Sequence, residues 1–496
     1  GRPVSAKMLV NFTPMETRVA LLENGVTQDV YIERAISRSI VGNIYAGKVV
    51  RIVPGMQAAF VDIGLERTSF IHVSDIIAGS SGHGREDKSI PAMKIADHLH
   101  DGKKIIVQVT RDPLGTKGAR VTMQLSVATR YLVLQPHNKH TGVSQRIDKP
   151  LEKTRLKQVL AQARASQSMD DSTGFVLRTA AEGIGFEQVS ADMRFLYSLW
   201  ASISRRAKAA TTAELLYENL PLHLRAVRDL VRPSVEHILI DNSECLVALQ
   251  GFCADHVPEV CSLLEHYTGE QPLFELHGVE DGIRGALDRS VELHCGGYLI
   301  FDQTEAMTVI DVNTGSFVGK RNQDDALLQT NLEAAEVLAR QVRLRNLGGI
   351  IIVDFINMEK SDHRRQVHDA LKKFMQQDTA LGEIAAFSKL GLIEMSRKRT
   401  GDSLESLLCE GCSVCHERGV IKTAETVCYE IFRKIMSDAR TCKNDKLILR
   451  VAESVANRLL NEEATQFFDL QQSVGKIISV QVESSYRQEH FNLMPC

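Results

Sequence analysis

The sequence predicts a multidomain α/β protein that also contains a small β-barrel. The chain has 496 residues, of which 44% are hydrophobic, so it can bury several cores. Short strand-like segments separated by Pro54-Gly55 and Gly64 are typical of a barrel. Farther along, two apolar, β-branched segments flank a long helical pattern, and this order predicts a crossover unit whose two strands are neighbours in one sheet.

The first segment, Met8 to Arg38, alternates apolar and polar residues on both sides of Glu23-Asn24-Gly25. An Asn-Gly turn between two alternating runs predicts a β-hairpin. The barrel strands follow as "NIYAGKVVRIV", "QAAFVDIG", "RTSFIHV" and "KKIIVQVTRD". From about Arg130 to Arg206, strand and helix patterns mix, which predicts a small α/β module.

Composition narrows the class of protein. The net charge of −3 gives no global positive field, so any nucleic-acid site has to be a local basic surface. Ten cysteines in a chain of this length do not form a small disulfide scaffold, and three of them crowd into "CEGCSVCH". This usage predicts metal or redox chemistry in a reducing compartment, hence a cytoplasmic location. We expect no membrane span and no secretory leader, because no apolar window of about 18 residues and no leader pattern is present.

Two aspartates interrupt the apolar segments that flank the long helix. Asp311 lies in "TVIDVNTG" and Asp354 in "GGIIIVDFIN". We expect both carboxylates to be buried, where leaving them unpaired would cost several kcal/mol. A shared Mg²⁺ would satisfy both, since this ion takes one or two carboxylates and keeps most of its waters. Asn313 is expected on the same face as Asp311. The alternative is that each aspartate caps a turn.

The helical pattern between these strands has Asp324 placed to cap its start and Gly348 placed to end it. Basic residues gather nearby. They either supply charge beside a phosphate, or those at the helix end interact with the helix dipole and the others are solvated surface residues. They are Lys320, Arg321, Arg340, Arg343, Arg345, Arg364, Arg365, Arg397, Lys398 and Arg399.

In "CEGCSVCHERG", Cys412 and Cys415 have the Cys-x-x-Cys spacing of a zinc knuckle. Structural zinc needs four ligands, so either a second chain contributes two thiolates or Cys409 and His416 close the site within one chain. A C-x-x-C-H haem attachment would require export and is rejected. A redox dithiol stays open, although no thioredoxin-like β-α-β unit is expected around it.

The barrel segment carries aromatic and basic residues suited to single-stranded nucleic acid. Such a surface stacks bases on aromatic rings and follows the backbone with positive charge, although each aromatic residue could instead belong to the core. The candidates are Tyr45, Phe60, Phe70, Lys48, Arg51 and Lys117. The phosphate-loop spacing in "GNIYAGKV" is rejected as a nucleotide site, because Val49 replaces the metal-binding Ser or Thr and more strand follows.

A second phosphate-binding candidate lies in "GFVLRTAAEGIG". The strand delivers Arg178 and Thr179 to an edge, with Gly183 and Gly185 just beyond. An arginine fork, a hydroxyl and backbone N–H groups would together form a pocket for a terminal phosphate.

The sequence strongly resembles the ribonuclease E/G family of endoribonucleases from about Met8 to the C-terminus. The long partner-binding tail of one branch is not matched, which favours the shorter, G-type branch. One departure is "QQDTALGE", Gln376 to Glu383, which lacks basic residues that relatives carry. The resemblance rests on "IVGNIYAGKVVRIVPGMQAAFVDIG", "DPLGTKGAR", "RTAAEG", "GGYLIFDQTEAMTVIDVNTG", "LRNLGGIIIVDFIN" and "LIEMSRKRT".

The resemblance implies a multidomain α/β plus β-barrel fold, in which an S1/OB barrel is inserted in a ribonuclease-H-like segment. An α/β 5′-sensor, a DNase-I-like α/β catalytic domain, a zinc link and a small C-terminal α/β domain follow. The matching boundaries are 8–38 and 222–286 for the ribonuclease-H-like segment, 39–124 for the S1 domain, 125–221 for the 5′-sensor, 287–408 for the catalytic domain, 409–422 for the zinc link and 423–496 for the small domain.

The resemblance also implies residue roles. It makes Asp311 and Asp354 the Mg²⁺-binding catalytic pair, with Asn313 assisting at the scissile phosphate. The S1 residues that hold RNA would be Phe60, Phe70 and Lys117, and the 5′-monophosphate would be recognised by Arg178, Thr179 and the main chain of Val133. Cys412 and Cys415 would share a structural Zn²⁺ between two protomers, which leaves Cys409 as an extra cysteine.

We therefore expect a Mg²⁺-dependent, single-strand-specific endoribonuclease that forms a homodimer or a higher oligomer. By resemblance, it prefers 5′-monophosphorylated, A/U-rich RNA, leaves 5′-phosphate and 3′-hydroxyl ends, and acts in rRNA 5′-end processing and mRNA turnover. The competing class is a non-catalytic RNA-binding or scaffold protein, which would gain nothing from two carboxylates facing a phosphate.

Overall fold

The computed structural model describes residues 5–76, 94–113, 117–167, 173–211, 213–315, 323–376, 378–415, 417–439 and 444–495. The chain divides into two compact units, Gly1–Leu404 and Glu405–Cys496, which are described separately. Over the described residues, no helix is long and apolar enough to cross a membrane.

The strands of the described residues are, in chain order, β1 (Ala6–Phe12), β2 (Glu16–Glu23), β3 (Val26–Arg34), β4 (Ile44–Val53), β5 (Ala58–Asp62), β6 (Ser69–His72), β7 (Lys104–Arg111), β8 (Arg120–Thr122), β9 (Val127–Ala128), β10 (Leu132–Gln135), β11 (Gly142–Val143), β12 (Gly174–Leu177), β13 (Glu214–Tyr217), β14 (Val235–Ile240), β15 (Leu264–His266), β16 (Ser290–Glu292), β17 (Tyr298–Gln303), β18 (Met307–Asn313), β19 (Gly349–Asp354), β20 (Leu381–Ile384), β21 (Leu392–Arg397), β22 (Lys446–Val451), β23 (Ile477–Val482) and β24 (Phe491–Pro495). The α-helices are α1 (Pro150–Ala165), α2 (Phe186–Ala209), α3 (Leu222–Asp229), α4 (Ser243–His256), α5 (Leu273–Leu276), α6 (Val279–Leu287), α7 (Gln323–Leu344), α8 (Ser361–Met375), α9 (Leu404–Leu408), α10 (Ala424–Ala439), α11 (Glu453–Leu460) and α12 (Ala464–Val474).

The N-terminal hairpin belongs to a five-stranded sheet of order β15-β14-β1-β2-β3. The predicted turn is confirmed: Asn24 and Gly25 both have positive φ, as an Asn-Gly hairpin turn requires. β1 pairs in parallel with β14, so this sheet joins chain segments that are distant in sequence. Its core includes Met8, Ile238 and Leu249.

The predicted barrel is also confirmed. Strands β4, β5, β6, β8 and β7 pair in this order, and β7 pairs again with β4, which closes a five-stranded barrel. β13 adds to the outer side of β4. Branched apolar residues that alternate along the strands fill the interior, among them Val49, Val61, Ile71, Val107 and Val121.

A four-stranded sheet of order β11-β12-β10-β9 follows the barrel and packs against α1 and α2. Its core is formed by apolar residues such as Leu134 and Phe175 from the strands and Leu156 and Met193 from the helices. This arrangement confirms the small α/β module that the mixed sequence pattern predicts.

The largest core surrounds a six-stranded sheet of order β16-β17-β18-β19-β21-β20. β18 and β19 are parallel neighbours, and α7 connects them, as the strand-helix-strand pattern predicts. Helices α7 and α8 contribute Leu338, Val342 and Leu371 to the core on one face of the sheet. The opposite face of the sheet carries the candidate active site.

Both predicted ends of α7 are wrong by a few residues. The helix begins at Gln323, so Asp324 lies within its first turn, where it pairs with Lys360 at 3.0 Å. At the C-terminus, Asn346 has φ of 50°, and the N–H of Leu347 donates to the carbonyl of Val342. This is the hydrogen-bond pattern of a left-handed helix cap, which asparagine can adopt, so the helix ends before Gly348.

Three of the clustered arginines are buried in the first unit. Arg343 on α7 pairs with Asp29 on β3 at 2.5 Å, and Arg397 pairs with Asp378 at 2.7 Å. Arg345 donates to main-chain carbonyl oxygens and lies over the ring of Phe301 at 4.2 Å. These three guanidinium groups are turned into the protein, so neither a phosphate contact nor a solvated or helix-dipole role describes them, and both predicted alternatives are wrong for these residues.

The second unit contains a three-stranded sheet of order β23-β22-β24 packed against α10, α11 and α12. β22 and β23 are parallel, and α11 and α12 form the crossover between them. The prediction that no β-α-β unit accompanies the cysteine cluster is therefore wrong. The local signal was weak because each of these elements is short.

Candidate active site and RNA-binding surfaces

The two aspartates end neighbouring parallel strands and lie directly opposite each other. Asp311 on β18 is in register with Asp354 on β19. Both are exposed, whereas the flanking residues Val312 and Val353 are buried. The prediction that the carboxylates are buried is wrong, because strand alternation turns them to the face of the sheet that α7 and α8 leave open.

The electrostatics of this pair suit a cation. Partial burial and the negative charge of Asp311 together raise the pKa of Asp354. The amide Nδ2 of Asn313 donates to Oδ2 of Asp311 at 2.9 Å, so Asn313 lies on the same face, as predicted. Two adjacent, solvent-accessible carboxylates offer the oxygen ligands that Mg²⁺ takes together with water. Nowhere in the described part of the chain do three or more His, Cys, Asp or Glu side chains gather to hold a metal.

The other basic residues predicted to lie near a phosphate differ in their partners and in their exposure to solvent. Lys320 and Arg321 lie outside the described residues. Arg365 pairs with Asp362 at 2.9 Å, and Arg364 reaches the carbonyl of Glu359. Exposed charge near the sheet is supplied by Lys398 and Arg399, and Arg340 is half-buried.

The outer surface of the barrel carries a row of aromatic and basic side chains. Phe60 and Phe70 are directly opposite each other on β5 and β6, with ring centroids 6.2 Å apart. Arg51 precedes them on β4, with its guanidinium 5.7 Å from the Phe60 ring, and Arg120 follows on β8. The row therefore places two half-buried rings between positively charged side chains, a combination that suits single-stranded nucleic acid.

Lys117 is exposed and belongs to the segment that pairs with the start of β6. The next residue must be glycine, because a Cβ atom on Gly118 would overlap the carbonyl oxygen of Thr68. Tyr45, in contrast, is 6% exposed and packs inside the barrel, so its predicted role in stacking bases is wrong.

The predicted terminal-phosphate residues lie beside β10 and β12. Arg178 directly follows β12, and its Nη1 donates to the carbonyl of Thr129 and to Asp229, each at 2.7 Å. Thr179 is exposed, with its hydroxyl 3.2 Å from that of Ser144. Val133, in the middle of β10, pairs with strands on both sides. Arg178 is thus oriented by its partners, while Thr179 is accessible.

Sequence reasoning missed the acidic residues that support Arg178. Burial opposes ionisation of Asp229, but the guanidinium groups of Arg228 and Arg178 lower its pKa overall. Burial raises the pKa of Asp192 to about 6, and this carboxyl accepts hydrogen bonds from Thr129 and from the N–H of Tyr131. These residues are far apart in sequence, so no local pattern could have indicated them.

The cysteine cluster lies in the second unit. Hydrogen bonds from the backbone N–H groups of Cys415 and Val414 lower the pKa of the Cys412 thiol, which favours the metal-binding thiolate. The N–H of Gly419 donates to Sγ of Cys415 at 3.3 Å. Cys409 does not join these two in a three-ligand group among the described residues, and His416 lies outside them. The structure therefore gives no support to closure of the site by Cys409.

Comparison with protein families matches almost the whole chain. The model of the "Ribonuclease E/G family" matches residues 126–400, the "S1 RNA binding domain" matches residues 39–121, and the "RNase E/G, Thioredoxin-like domain" matches residues 411–495. The chain belongs to the ribonuclease E/G family. This membership confirms the expected enzyme class, an endoribonuclease, and places the closed barrel in the S1 match.

Comparison with individual proteins also places the chain in this family. Ribonuclease G of Escherichia coli (strain K12) is 46% identical over 99% of this chain and 100% of its own length. Ribonuclease G of Haemophilus influenzae (strain ATCC 51907 / DSM 11121 / KW20 / Rd) is 42% identical over 99% of both chains. Ribonuclease E of Escherichia coli (strain K12) is 36% identical over 92% of this chain but only 43% of its own. The predicted likeness to the G-type branch is confirmed.

Proposed function

We propose that this family member is a Mg²⁺-dependent endoribonuclease that hydrolyses single-stranded RNA at Asp311 and Asp354. One observation carries the proposal: the two carboxylates lie opposite each other on the exposed face of a sheet, and Asn313 orients one of them. A scaffold protein that only binds RNA would place two negative charges against a polyanion without benefit.

The residues of the chain divide the chemistry between them. When bound, Mg²⁺ supplies activation of water and stabilisation of the charge that develops on the phosphate. Asp311 and Asp354 would hold the ion, and Asn313 fixes the Asp311 carboxylate while its second amide hydrogen remains for a phosphate oxygen. Water attacks phosphorus in line, the bond to O3′ breaks and O3′ takes a proton, so the products carry 5′-phosphate and 3′-hydroxyl ends.

The direct test uses a 5′-monophosphorylated, single-stranded, A/U-rich RNA incubated with the full chain in Mg²⁺ or in EDTA. The same sequence annealed to its complement is the control. We expect cleavage only of the single strand and only in Mg²⁺, with product ends identified by mass. RNA binding without cleavage by folded protein would overturn the proposal and favour the scaffold class.

RNA binding on the barrel is part of the same proposal. Phe60 and Phe70 would stack bases, and Arg51 and Lys117 would contact the backbone. This surface and the 5′-sensor residues would hold a strand whose interior reaches the aspartates. Roles in rRNA 5′-end processing and mRNA turnover, and a cytoplasmic location, stay predictions.

Arg178 and Thr179 are proposed to recognise a 5′-monophosphate. Arg178→Lys keeps the positive charge but removes the planar fork, so the rate advantage of 5′-monophosphate over 5′-hydroxyl RNA should fall about tenfold. Cleavage rates of the two RNAs measure this advantage. The 5′-hydroxyl RNA is the internal control, and an equal loss on both RNAs would contradict a role in end recognition.

Cys412 and Cys415 are proposed to share a structural Zn²⁺ with the same pair of a second protomer. Cys412→Ser should then remove both the zinc and the dimer, because two thiolates from each chain complete four ligands. Zinc content and mass by light scattering measure the two effects. Cys409→Ser is the matched control and should keep both; loss of zinc in that variant instead would place Cys409 in the site.

A further inference from the structure

Beside the candidate active site, three polar side chains form a row across neighbouring strands; the first is exposed and the other two are half-buried. Glu292 on β16 is opposite Tyr298 on β17, and Tyr298 is opposite Asn313 on β18. The same registers place Ile300 opposite Asp311, so this row lies one step beyond the carboxylate pair on the same face. Val291 and Leu299 point to the opposite side, into the core.

This row borders a cavity of about 280 Å³, slightly smaller than the usual site for a drug-sized ligand. The turn before β17 forms one wall, and it is held by the N–H of Leu293 donating to the carbonyl of Gly297 at 2.8 Å. A Cβ atom on Gly297 would lie 2.6 Å from the carbonyl oxygen of Asn313, so only glycine lets this turn approach the catalytic strand. The lining residues are Ser290, Glu292, Leu293, Gly296, Gly297 and Tyr298.

The chemistry of the cavity suits a nucleobase better than a phosphate. Among the described residues, its lining has an aromatic ring and a carboxylate but no lysine or arginine. Within the described structure, neither the Tyr298 hydroxyl nor the Glu292 carboxylate has a side-chain hydrogen bond or ion pair, so both are available to a ligand. An aromatic ring stacks a base, and a carboxylate accepts hydrogen bonds from the edge of that base.

The carboxylate favours one base over another. The Watson–Crick edge of guanine offers two neighbouring N–H donors that match the two oxygens of Glu292. Uracil offers one N–H between two carbonyl oxygens, which a carboxylate repels. Discrimination follows because the wrong base leaves the polar group unpaired.

We propose that Tyr298 and Glu292 form a nucleobase subsite that holds a base next to the scissile phosphate and prefers guanine to uracil. Directly opposite residues on paired strands have Cβ atoms about 5 Å apart and diagonal neighbours about 7 to 8 Å apart. Tyr298 therefore lies within one nucleotide step of the Asp311 carboxylate. The inference rests on the proposed function, because the carboxylate pair defines where the phosphate sits.

The test uses sets of 5′-monophosphorylated single-stranded RNAs. Within a set, the RNAs differ only in having G, A, C or U at one position. Four sets vary, in turn, each of the two nucleotides on either side of the cut. We expect the wild type to prefer G to U about tenfold at one position, measured as kcat/KM. Glu292→Gln should bring this ratio close to one. Tyr298→Leu should raise KM about tenfold for the preferred RNA. Tyr298→Phe keeps the ring and should therefore have the KM of the wild type.

Glu394→Gln is the matched control, since Glu394 is an exposed carboxylate on β21 of the same sheet and not in this row. It should leave the G-to-U ratio unchanged. An unchanged ratio in Glu292→Gln, or an equal change in Glu394→Gln, would overturn the subsite. If Tyr298→Leu fails to fold, Glu292→Gln still tests the base preference of the subsite.

A wild type that cleaves none of these RNAs in Mg²⁺ would defeat the proposed function. The subsite would then be tested by the affinities of the same RNAs in EDTA, measured by fluorescence anisotropy. A preference for G that depends on Glu292 would support it there, and its absence would overturn it independently.

Discussion

Asp311→Asn is expected to lower the rate of RNA cleavage by about a thousandfold or more. The substitution keeps the size of the side chain but removes one of two anionic ligands, and a catalytic metal supplies several kcal/mol of transition-state stabilisation. Single-turnover cleavage of the RNA described above measures the rate. RNA affinity in EDTA is the companion measurement and should not fall, because the removed charge faces a polyanion.

The stability of the same variant distinguishes the two interpretations of Asp311 and Asp354, as a metal-binding pair or as residues that cap turns. In the metal-free protein, the charge of Asp311 contributes to the raised pKa of Asp354. A carboxyl whose folded pKa is raised destabilises the fold once pH rises through that pKa. Asp311→Asn should therefore keep or increase the thermal midpoint in EDTA at pH 7, and the difference from wild type should shrink as the pH falls below the pKa of Asp354. A lower midpoint at pH 7 would contradict the metal-pair assignment.

Arg397→Met is expected to reduce the free energy of unfolding of the first unit by about 3 to 5 kcal/mol. The Asp378 and Arg397 side chains are 3% and 7% exposed, and Arg397 also donates to the carbonyl of Leu347. Removing one partner leaves a buried charge without compensation, which costs far more than losing a surface pair. Urea denaturation followed by circular dichroism measures the change.

Two further variants make this prediction specific. Asp378→Asn combined with Arg397→Met should recover part of the lost stability, because no charge then remains buried without a partner. Arg284→Met breaks the ion pair with Asp281, in which both side chains are more than three-quarters exposed, and should cost about 1 kcal/mol or less. If Arg284→Met lowered the free energy of unfolding as much as Arg397→Met, the loss in Arg397→Met could not be attributed to a buried charge left without its partner.

Asp378 gives a structural role to the segment for which the resemblance leads one to expect phosphate contacts. Gln376 to Glu383 lacks the basic residues that the resemblance leads one to expect. Within it, Asp378 anchors Arg397 and accepts a hydrogen bond from the N–H of Ala380, and the carbonyl of Ala380 accepts one from Lys398. The described residues of this segment thus connect β20 and β21 rather than supply positive charge.

Local sequence signals were sufficient for much of the architecture and for the chemistry of the site. Asn24-Gly25 specified a hairpin, regularly spaced short strands specified the barrel, and two aspartate-bearing apolar runs around a long helix specified parallel neighbours. Each of these features depends on residues close together in the chain, where turn chemistry and side-chain period act directly. Long segments that resemble the ribonuclease E/G family were likewise sufficient to predict family membership.

Tertiary structure decided the features that depend on distant partners. It turned Asp311 and Asp354 to the open face, tied Arg178 to Asp229, and buried Arg343 against a strand from the other end of the unit. Strand order and helix coverage determine which face of a sheet is open, and ion pairs between remote residues leave no period in the sequence. The row beside the active site arises from strand register for the same reason, so only the folded chain could reveal it.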